Sequence, residues 1–577
     1  MAAAPLAAGT MTLLDWLIVI AANGAIVAYG LYLSRGTSTA YEWFLAARGL
    51  PWWIVGLSLF ATAVDSGDYV AVVGGASTFG LSNLTTWWLG LPIGWFLVAY
   101  VVFVPVYRSG MYTNAEYLEH RFGPVVRLLS ALIQIQYRTN VLGNIAFSLY
   151  LMFSVLTGWG AAAWWLVVAV AAAAAAYTAA GGLRSVAITD ALQSVVMFAA
   201  SFTLWWVLWT NIGGWDGLEA RFEQIDPQLV ATMLHVGGSA EPGVPSVLVL
   251  FGWIVSLTAY CVVNHSQAMR LLAARSEWDM KLAAFVAAAV TAAVMWFNIT
   301  LGILGRALMP ELPVVDEIYP RLIQGYLGPG LVGLVVAGVL AGGISTYDSI
   351  GSALAAVFTR DIYARFLRTG AGDAHYLAVS RWTTAAVIAV SFAYIPFLRE
   401  GMVVFYLRVT SVAVIPLFTV YLMGVTTRVH RSSGAVGLCA GIAYGLSSFA
   451  GDFGGWPLPL WWTNTWWAYL WSIAITATAM IVVSLLRGWE TDEHIRRLIF
   501  SRAARAQGDL RTPAGAALSS EGNWLTRTRA ELVDSQWRAS QLRANEPPQH
   551  RHWLQRPALW AMLYLAAMAF LNLYLLW

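Results

Sequence analysis

Two aspartates lie in the middle of a stretch that is otherwise long and apolar enough to cross a lipid bilayer. Asp65 and Asp68 interrupt residues 52–80, and Gly67 lies between them. A carboxylate in the hydrocarbon region is costly, and such groups usually face a protein interior or a water-filled cavity on an ion or solute pathway. We expect the helix to break here, with Gly67 allowing the backbone to unwind and carbonyl oxygens becoming available to a cation.

A row of hydroxyl groups with one carboxylate marks a second stretch. Four of its residues are spaced at i, i+3, i+4 and i+7, and therefore share one face of a helix. They are Ser345, Asp348, Ser349 and Ser352. Hard, oxygen-coordinated cations prefer such ligands. The hydroxyls could equally bond back to their own helix, but a buried carboxylate such as Asp348 marks a functional site by default.

Two further apolar stretches contain polar groups. Asp190 follows Arg184 in GGLRSVAITDALQ, and it either pairs with Arg184 or joins Asp348 in a second cation site. Residues 246–268 are interrupted as residues 52–80 are. The interrupting residues are Tyr260, Asn264, His265 and Ser266.

The composition indicates which elements position these groups. Hydrophobic residues make up 59% of the chain and charged residues 11%, with a mean hydropathy of +0.65, whereas soluble proteins carry about a quarter charged residues. We predict an all-α integral membrane protein, since many segments reach the roughly 20 apolar residues that a span needs. About fourteen qualify, namely 13–33, 52–80, 86–106, 124–152, 160–180, 185–211, 246–268, 278–307, 325–358, 377–397, 401–426, 434–451, 464–486 and 557–577.

The second and seventh of these spans are the interrupted ones. Interrupted helices in corresponding positions of two halves are typical of transporters built from inverted repeats. Basic residues concentrate in alternate short connections, which predicts that those connections face the cytoplasm. We include among them Arg270, Arg275 and Lys281, after the seventh span. Both termini of this multi-pass protein of the cell (plasma or inner) membrane would then lie outside, and residues 487–556 would form a cytoplasmic linker.

Other function classes find little support in the sequence. Eight histidines are scattered without metal-binding spacing, which weighs against a membrane enzyme. Residues 487–556 contain no phosphate-binding loop, metal-ligand cluster or nucleophile–base constellation. Nothing suggests a nucleic-acid partner. Residues 487–556 lack a recognisable kinase or receiver domain, which weighs against a transporter-like sensor. An ion channel remains an alternative, and the oligomeric state is open.

Three motifs together resemble the solute:sodium symporter family, and its sodium/sugar cotransporter branch in particular. They are LPWWIVGLSLFATAV, GGLRSVAITDALQ, and the Ser345-Thr346 pair followed by FTRDIY. The resemblance spans about residues 41–421 and implies a LeuT-type fold of five plus five inverted helices. It divides the chain into an N-terminal extra helix and loop (1–51), two repeats (52–211 and 246–426), additional helices (427–486), the linker (487–556) and a last helix (557–577).

The resemblance also implies ion sites. The family's sodium site falls on the carbonyl oxygens of Ala61, Val64 and Gly342 and on the hydroxyls of Ser345 and Thr346. A second sodium site, which some members have, would use Ser345, Asp348, Ser349 and Asp190. Members with that site carry a hydroxyl where this chain has Asp348, so protonation of Asp348 or Asp190 is an alternative to a second sodium ion.

The implied substrate site departs from the sugar transporters. Polar residues that those transporters use are replaced here by Leu89, Leu257, Ala287 and Leu407. Tyr260 matches the family's gating tyrosine, and Asp68 falls on a substrate position. Asp68 could hold an amine and Arg408 a carboxylate, unless the two are in structural ion pairs, for example with Arg138.

These observations predict a sodium-coupled symporter that imports a small polar solute by alternating access. The favoured substrate is an amino acid or another small zwitterion or organic ion, and a sugar is the alternative. The substrate would be bound by Asp68, Tyr260, Asn264, His265 and Arg408.

Overall fold

The computed structural model is all-helical over the residues it describes. These are 11–34, 43, 45–108, 111, 113–238, 244–312, 314–400, 402–453, 458–495, 498–500 and 555–576. Within these described residues, thirteen helices are long and apolar enough to cross a membrane. A broken helix over residues 52–79 makes fourteen, which confirms the predicted spans. The predicted linker 487–556 lies mostly outside the described residues.

The helices up to Arg487 mostly follow one another with short connections, and residues 488–556 separate the last helix from them. In the first half they are α1 (Leu13–Leu33), α2 (Trp52–Ala63), α3 (Val73–Phe79), α4 (Thr86–Arg108), α5 (Asn114–Phe122), α6 (Pro124–Thr157), α7 (Ala163–Ala180), α8 (Leu183–Ile212), α9 (Gly214–Ile225) and α10 (Gln228–Met233). In the second half they are α11 (Ser246–Val263), α12 (His265–Leu272), α13 (Glu277–Leu308), α14 (Ile318–Tyr326), α15 (Leu331–Ala356), α16 (Asp373–Ser391), α17 (Phe405–Thr426), α18 (Ser433–Phe453), α19 (Thr465–Arg487) and α20 (Pro557–Phe570).

The predicted break in the second span lies at Val64 and Asp65. Val64 is extended, with φ −113° and ψ 113°. The chain then resumes a helical course, with Asp65 as the capping residue. Asp65 Oδ1 accepts the Gly67 N–H at 2.7 Å, and Asp68 Oδ2 accepts the Asp65 N–H at 2.8 Å. This is a reciprocal capping box, so the two acids stabilise the N-terminus of the second half of the helix.

The role predicted for Gly67 is wrong in one respect. Its φ of −63° and ψ of −39° are helical, so it does not unwind the backbone. A Cβ at this position would lie 2.8 Å from Asp65 Oδ1. The absence of a side chain therefore leaves room for the Asp65 cap.

The second predicted break has the same construction. α11 ends at Val263, and Asn264 is extended with φ −73° and ψ 113°. The Asn264 Oδ1 atom accepts the Ser266 N–H at 3.0 Å, which caps α12. The two breaks are five spans apart, as the inverted-repeat interpretation requires.

Close helix packing holds α2, α3, α8, α13 and α15 together around the first break. A Cβ on Gly302 of α13 would lie 2.2 Å from the Val73 carbonyl oxygen, and one on Gly338 of α15 would lie 2.2 Å from the Ala200 Cβ. Small residues at such contacts allow the backbones to approach and gain van der Waals contact, which is the main source of helix association in lipid.

The FTRDIY motif, residues 358–363, directly follows α15 and is held against α5 and α6 by ion pairs. The Arg127 side chain of α6 contacts the Asp361 carboxylate at 2.6 Å and Glu119 Oε2 at 2.5 Å. Glu119, on the short helix α5, is also paired with Arg365. Burial opposes ionisation of Glu119, but its bonds to Arg365 and Arg127 outweigh burial and hold its pKa below the usual range.

Replacing Arg127 with methionine is expected to destabilise the protein by about 3–5 kcal/mol, because it leaves the buried Asp361 carboxylate without its cation. Thermal unfolding of the purified protein in detergent measures the effect. Arg184→Met is the control, since Arg184 is exposed. Equal midpoints for the two variants would contradict a structural role of the Arg127 pairs.

Candidate functional site

The first break and α15 bring oxygen atoms together at one buried point. Ser345 Oγ lies 3.0 Å from the Ala61 carbonyl oxygen and 2.6 Å from Asp190 Oδ1. The single hydroxyl proton can be directed at only one of these two acceptors. A cation would relieve the repulsion among the remaining lone pairs, and hard oxygen ligands suit sodium.

The other residues assigned to the first sodium site lie at the same crossing. A Cβ on Gly342 would lie 3.5 Å from the Asp65 Cα, so α15 passes directly against the break that contains Val64. Thr346 is fully buried, and its hydroxyl oxygen has no hydrogen-bond partner within the described part of the chain. A buried hydroxyl without a partner is unfavourable, and a bound ion would satisfy it.

Asp190 is paired with Arg270, and the proposed pairing with Arg184 is wrong. Arg270 Nη2 lies 2.9 Å from Asp190 Oδ2, and both side chains are fully buried. Ser58 Oγ donates to the same carboxylate oxygen at 2.5 Å. Arg270 belongs to α12, inside the fold, so its assignment to a loop between spans is also wrong.

Arg270 reaches two of the four residues assigned to the second sodium site. Besides Asp190 it contacts the Ser349 hydroxyl through a short hydrogen bond. Asp348 Oδ1 accepts from Ser349 Oγ at 3.1 Å, whereas Asp348 Oδ2 has no partner among the residues described. Arg270 thus contacts Asp190 directly and reaches Asp348 only through the Ser349 hydroxyl. A second sodium ion at this place stays a prediction.

A cavity of about 110 Å³ lies beside the first break, which is space for several water molecules or a small solute. The break, α4, α6, α11 and the start of α17 form its walls. Its charged lining residues are Asp65, Asp68 and Arg138. Its neutral polar lining residues are Asn83, Thr86, Asn144, Ser256, Tyr260 and Tyr406.

Two of the predicted substrate residues, Asp68 and Tyr260, line this cavity. The other three are outside its lining. Asn264 caps α12, and His265 is the first residue of that helix. Arg408 does not line the cavity, whereas its neighbour Leu407 does. The leucines at two of the sugar-transporter positions, 257 and 407, therefore face the cavity as the resemblance implies.

Arg138 is the cavity residue whose role the sequence did not indicate, since it entered only as an ion-pair partner. It is 2% exposed, and its Cζ lies 5.2 Å from the centre of the Tyr260 ring. No carboxylate of the described residues forms an ion pair with the Arg138 guanidinium group. The possible Asp68–Arg138 pair is therefore not formed.

Comparison with known proteins places this arrangement among transporters. The chain is 28% identical over 488 residues to sodium/glucose cotransporter 4 of Danio rerio, covering 77% of this chain and 73% of the relative. It is 29% identical over 487 residues to a sodium/mannose cotransporter of Bos taurus, covering 77% and 80%. It is 28% identical over 469 residues to a sodium/glucose cotransporter of Vibrio parahaemolyticus, covering 76% and 85%.

The fold is also that of a solved transporter. A substrate-bound, outward-open Na⁺-coupled sialic acid symporter superposes with a TM-score of 0.71 at 19% identity, covering 83% of this chain and 99% of that one. This confirms the LeuT-type architecture. The model of the sodium:solute symporter family matches residues 43–442, so the chain is a sodium-coupled secondary transporter and not an enzyme. The protein belongs to the sodium:solute symporter family.

Proposed function

We propose that this protein imports a small, hydroxyl-rich solute of the sugar class across the cell membrane by coupling its movement to inward sodium flow. The observation that carries the proposal is that the oxygens assigned to the sodium site lie at the first break, directly beside a polar cavity. The amino-acid substrate favoured from the sequence has less support than the sugar alternative, because the relatives named above are sodium/glucose and sodium/mannose cotransporters.

Sodium would be held by the carbonyl oxygens of Ala61, Val64 and Gly342 and by the hydroxyls of Ser345 and Thr346. An ion in this position would tie α15 to the broken span and fix the backbone of the break. Because Asp65 and Asp68 cap the resumed helix at the same break, sodium binding would also order the cavity wall. This is the physical basis for coupling ion binding to solute binding.

The driving force follows from the charge of the ion. Each sodium ion that enters down the membrane potential supplies about 2.3 kcal/mol per 100 mV, before its concentration gradient is added. The two repeats would rock about the site so that it opens to each side in turn. Tyr260 would close one side of the cavity, since its hydroxyl donates to the Thr62 carbonyl oxygen at 3.3 Å and accepts from Gln267 at 3.2 Å.

Uptake into proteoliposomes tests this function. The purified protein is reconstituted, and labelled glucose, mannose and hydroxylated acids are supplied outside under an inward sodium gradient with a negative interior. We expect accumulation above the outside concentration, and no accumulation when potassium replaces sodium on both sides. Equilibration without accumulation would indicate a channel-like pathway. Binding without any flux would indicate a sensor, and either result would overturn the proposal.

A further inference from the structure

The guanidinium group of Arg138 lies near two aromatic rings, while two N–H donor atoms on its edge have no hydrogen-bond partner among the described residues. Two aromatic rings lie near the group, that of Tyr260 at 5.2 Å and that of Tyr137 at 5.8 Å from the Cζ atom. They stabilise the positive charge through their π faces. Its Nε and Nη2 atoms are buried and have no hydrogen-bond partner in the described structure. Leaving buried charged donors unpaired is costly, so the edge requires a partner from the cavity that Arg138 lines.

The acids of the cavity do not serve as that partner. Asp65 Oδ1 accepts the N–H groups of Gly67 at 2.7 Å and of Asp68 at 3.3 Å. Asp68 Oδ2 accepts the Asp65 N–H at 2.8 Å. Both carboxylates thus face the partial positive charge of a helix N-terminus, which offsets their negative charge. They remain part of the broken helix, at a distance from Arg138 greater than an ion pair.

The unpaired donors of Arg138 have the geometry that recognises a carboxylate. Nε and one Nη atom on the same edge of a guanidinium group form a fork that matches the two oxygens of a carboxylate, and such paired bonds are stronger than neutral ones. A single sugar hydroxyl could satisfy one of these donors but would leave the other without a partner. The edge of Arg138 is therefore suited to an anionic group.

Neutral groups around the same cavity are also without partners in the part of the chain that is described. They are the Thr86 hydroxyl, the Asn144 carbonyl oxygen and the Trp253 indole N–H. A solute with several hydroxyl groups could satisfy both the donors and the acceptors in this set. These groups and Arg138 are the complement of one molecule with a carboxylate at one end and hydroxyls along the rest.

We infer that the transported solute is a small hydroxylated carboxylic acid of the sugar-acid class, with its carboxylate bound by Nε and Nη2 of Arg138. The inference rests on the proposed function, because it takes the cavity as the solute site. It narrows that function from sugars in general to their acids. Arg138 replaces Arg408 as the carboxylate-binding residue, and Asp68 is assigned to the helix cap and to solute hydroxyls.

Matched ligands separate the contribution of the carboxylate to binding from that of the rest of the solute. Glucuronate, glucuronamide and glucose have similar rings but only glucuronate is anionic at neutral pH. Binding to the purified protein in sodium buffer is measured by calorimetry and by the shift in unfolding temperature. We expect glucuronate to bind at least about tenfold more tightly than glucuronamide, since hydrogen bonds between charged groups are worth at least one tenfold step.

Variants assign the effect to Arg138. Arg138→Gln should lower glucuronate affinity about 10- to 100-fold while leaving glucuronamide affinity within a few fold. Arg138→Lys keeps the charge but loses the two-pronged donor geometry. Its glucuronate affinity should lie between those of the wild type and Arg138→Gln. Arg408→Gln is the control, because Arg408 lies near the cavity but outside its lining. Unfolding temperatures without ligand show whether each variant is folded.

The outcomes distinguish this inference from the proposed function. Sodium-driven uptake of glucose with no preference for glucuronate, or equal glucuronate affinities for wild type and Arg138→Gln, would overturn the inference and leave the function standing. Tighter binding of neutral amino acids than of sugar acids would overturn the sugar-acid assignment. The absence of sodium-driven uptake for every solute would overturn the proposed function itself.

Discussion

Replacing Ser345 and Thr346 together with alanine is expected to raise the sodium concentration for half-maximal uptake by at least about tenfold, because each lost ligand to a charged group is worth on the order of 1.5–3 kcal/mol. Ser345 Oγ lies 3.0 Å from the Ala61 carbonyl oxygen, and Thr346 Oγ1 is buried without a partner in the described structure. Both are therefore placed to bind an ion at the first break. Initial uptake rates at increasing sodium concentration measure the effect.

Thr346 gives the clearest single variant. Ser345 also lies 2.6 Å from Asp190 Oδ1, so its replacement disturbs the fold as well as the ion site. Thr346 makes no such bond to any described residue, and Thr346→Val keeps its shape while removing the oxygen. We expect this variant to keep its unfolding temperature in potassium buffer and to lose much of the stabilisation by sodium. Thr346→Ser should restore it.

Ser352→Ala is a matched control on the same helix. Its hydroxyl bonds to the Ser349 carbonyl oxygen at 3.2 Å, so its loss removes a hydroxyl from α15 without removing an assigned ion ligand. Sodium dependence should remain that of the wild type. If the Ser345/Thr346 double variant also kept the wild-type sodium dependence, sodium would bind elsewhere.

The breaks in the two spans could be predicted because their cause is local. Asp65, Asp68 and Asn264 are polar residues in apolar stretches, and short polar side chains within a helix compete for backbone N–H groups. That they form caps follows from the same chemistry. The sequence did not indicate which backbone position would leave the helical region, and for this reason Gly67 was credited with a change that occurs at Val64 and Asp65.

The partners of the buried charges could not be predicted in the same way. Asp190 and Arg270 are 80 residues apart, and Arg270 sits in a short helix after the second break, where the hydropathy pattern resembles a loop. Arg138 was visible as a charge in a span but not as a cavity residue. Which charges meet depends on how α6, α8 and α12 pack, and the pattern within one helix does not contain that information.

A prediction that is wrong by one residue along a helix selects a side chain on a different face. Leu407 lines the cavity and Arg408 does not. Consecutive residues of an α-helix point about 100° apart, since one turn takes 3.6 residues. A pattern that places the right helix near the substrate can thus still select the wrong side chain, and the carboxylate-binding role moves from α17 to Arg138 on α6.

Replacing Arg270 with methionine is expected to destabilise the protein by about 3–5 kcal/mol, the usual cost of leaving a buried charge without its partner. Arg270 Nε donates to Ser58 Oγ at 2.7 Å, Nη1 to the Ser266 carbonyl oxygen at 2.9 Å, and Nη2 to Asp190 at 2.9 Å. Its loss leaves the buried Asp190 carboxylate without its cation. Unfolding temperature in potassium buffer measures the effect.

A second substitution tests whether the cost comes from charge rather than packing. Asp190→Asn added to Arg270→Met removes the uncompensated carboxylate, so the double variant should unfold at a higher temperature than Arg270→Met alone. Arg275→Met is the control, since Arg275 is half exposed and pairs with Asp279 on the next turn. If the double variant gained nothing, Arg270 would act through packing. A higher unfolding temperature of the double variant would show that the charge of Arg270 neutralises the Asp190 carboxylate. Sodium should then stabilise Arg270→Met more than the wild type, because the ion can enter where the guanidinium group was.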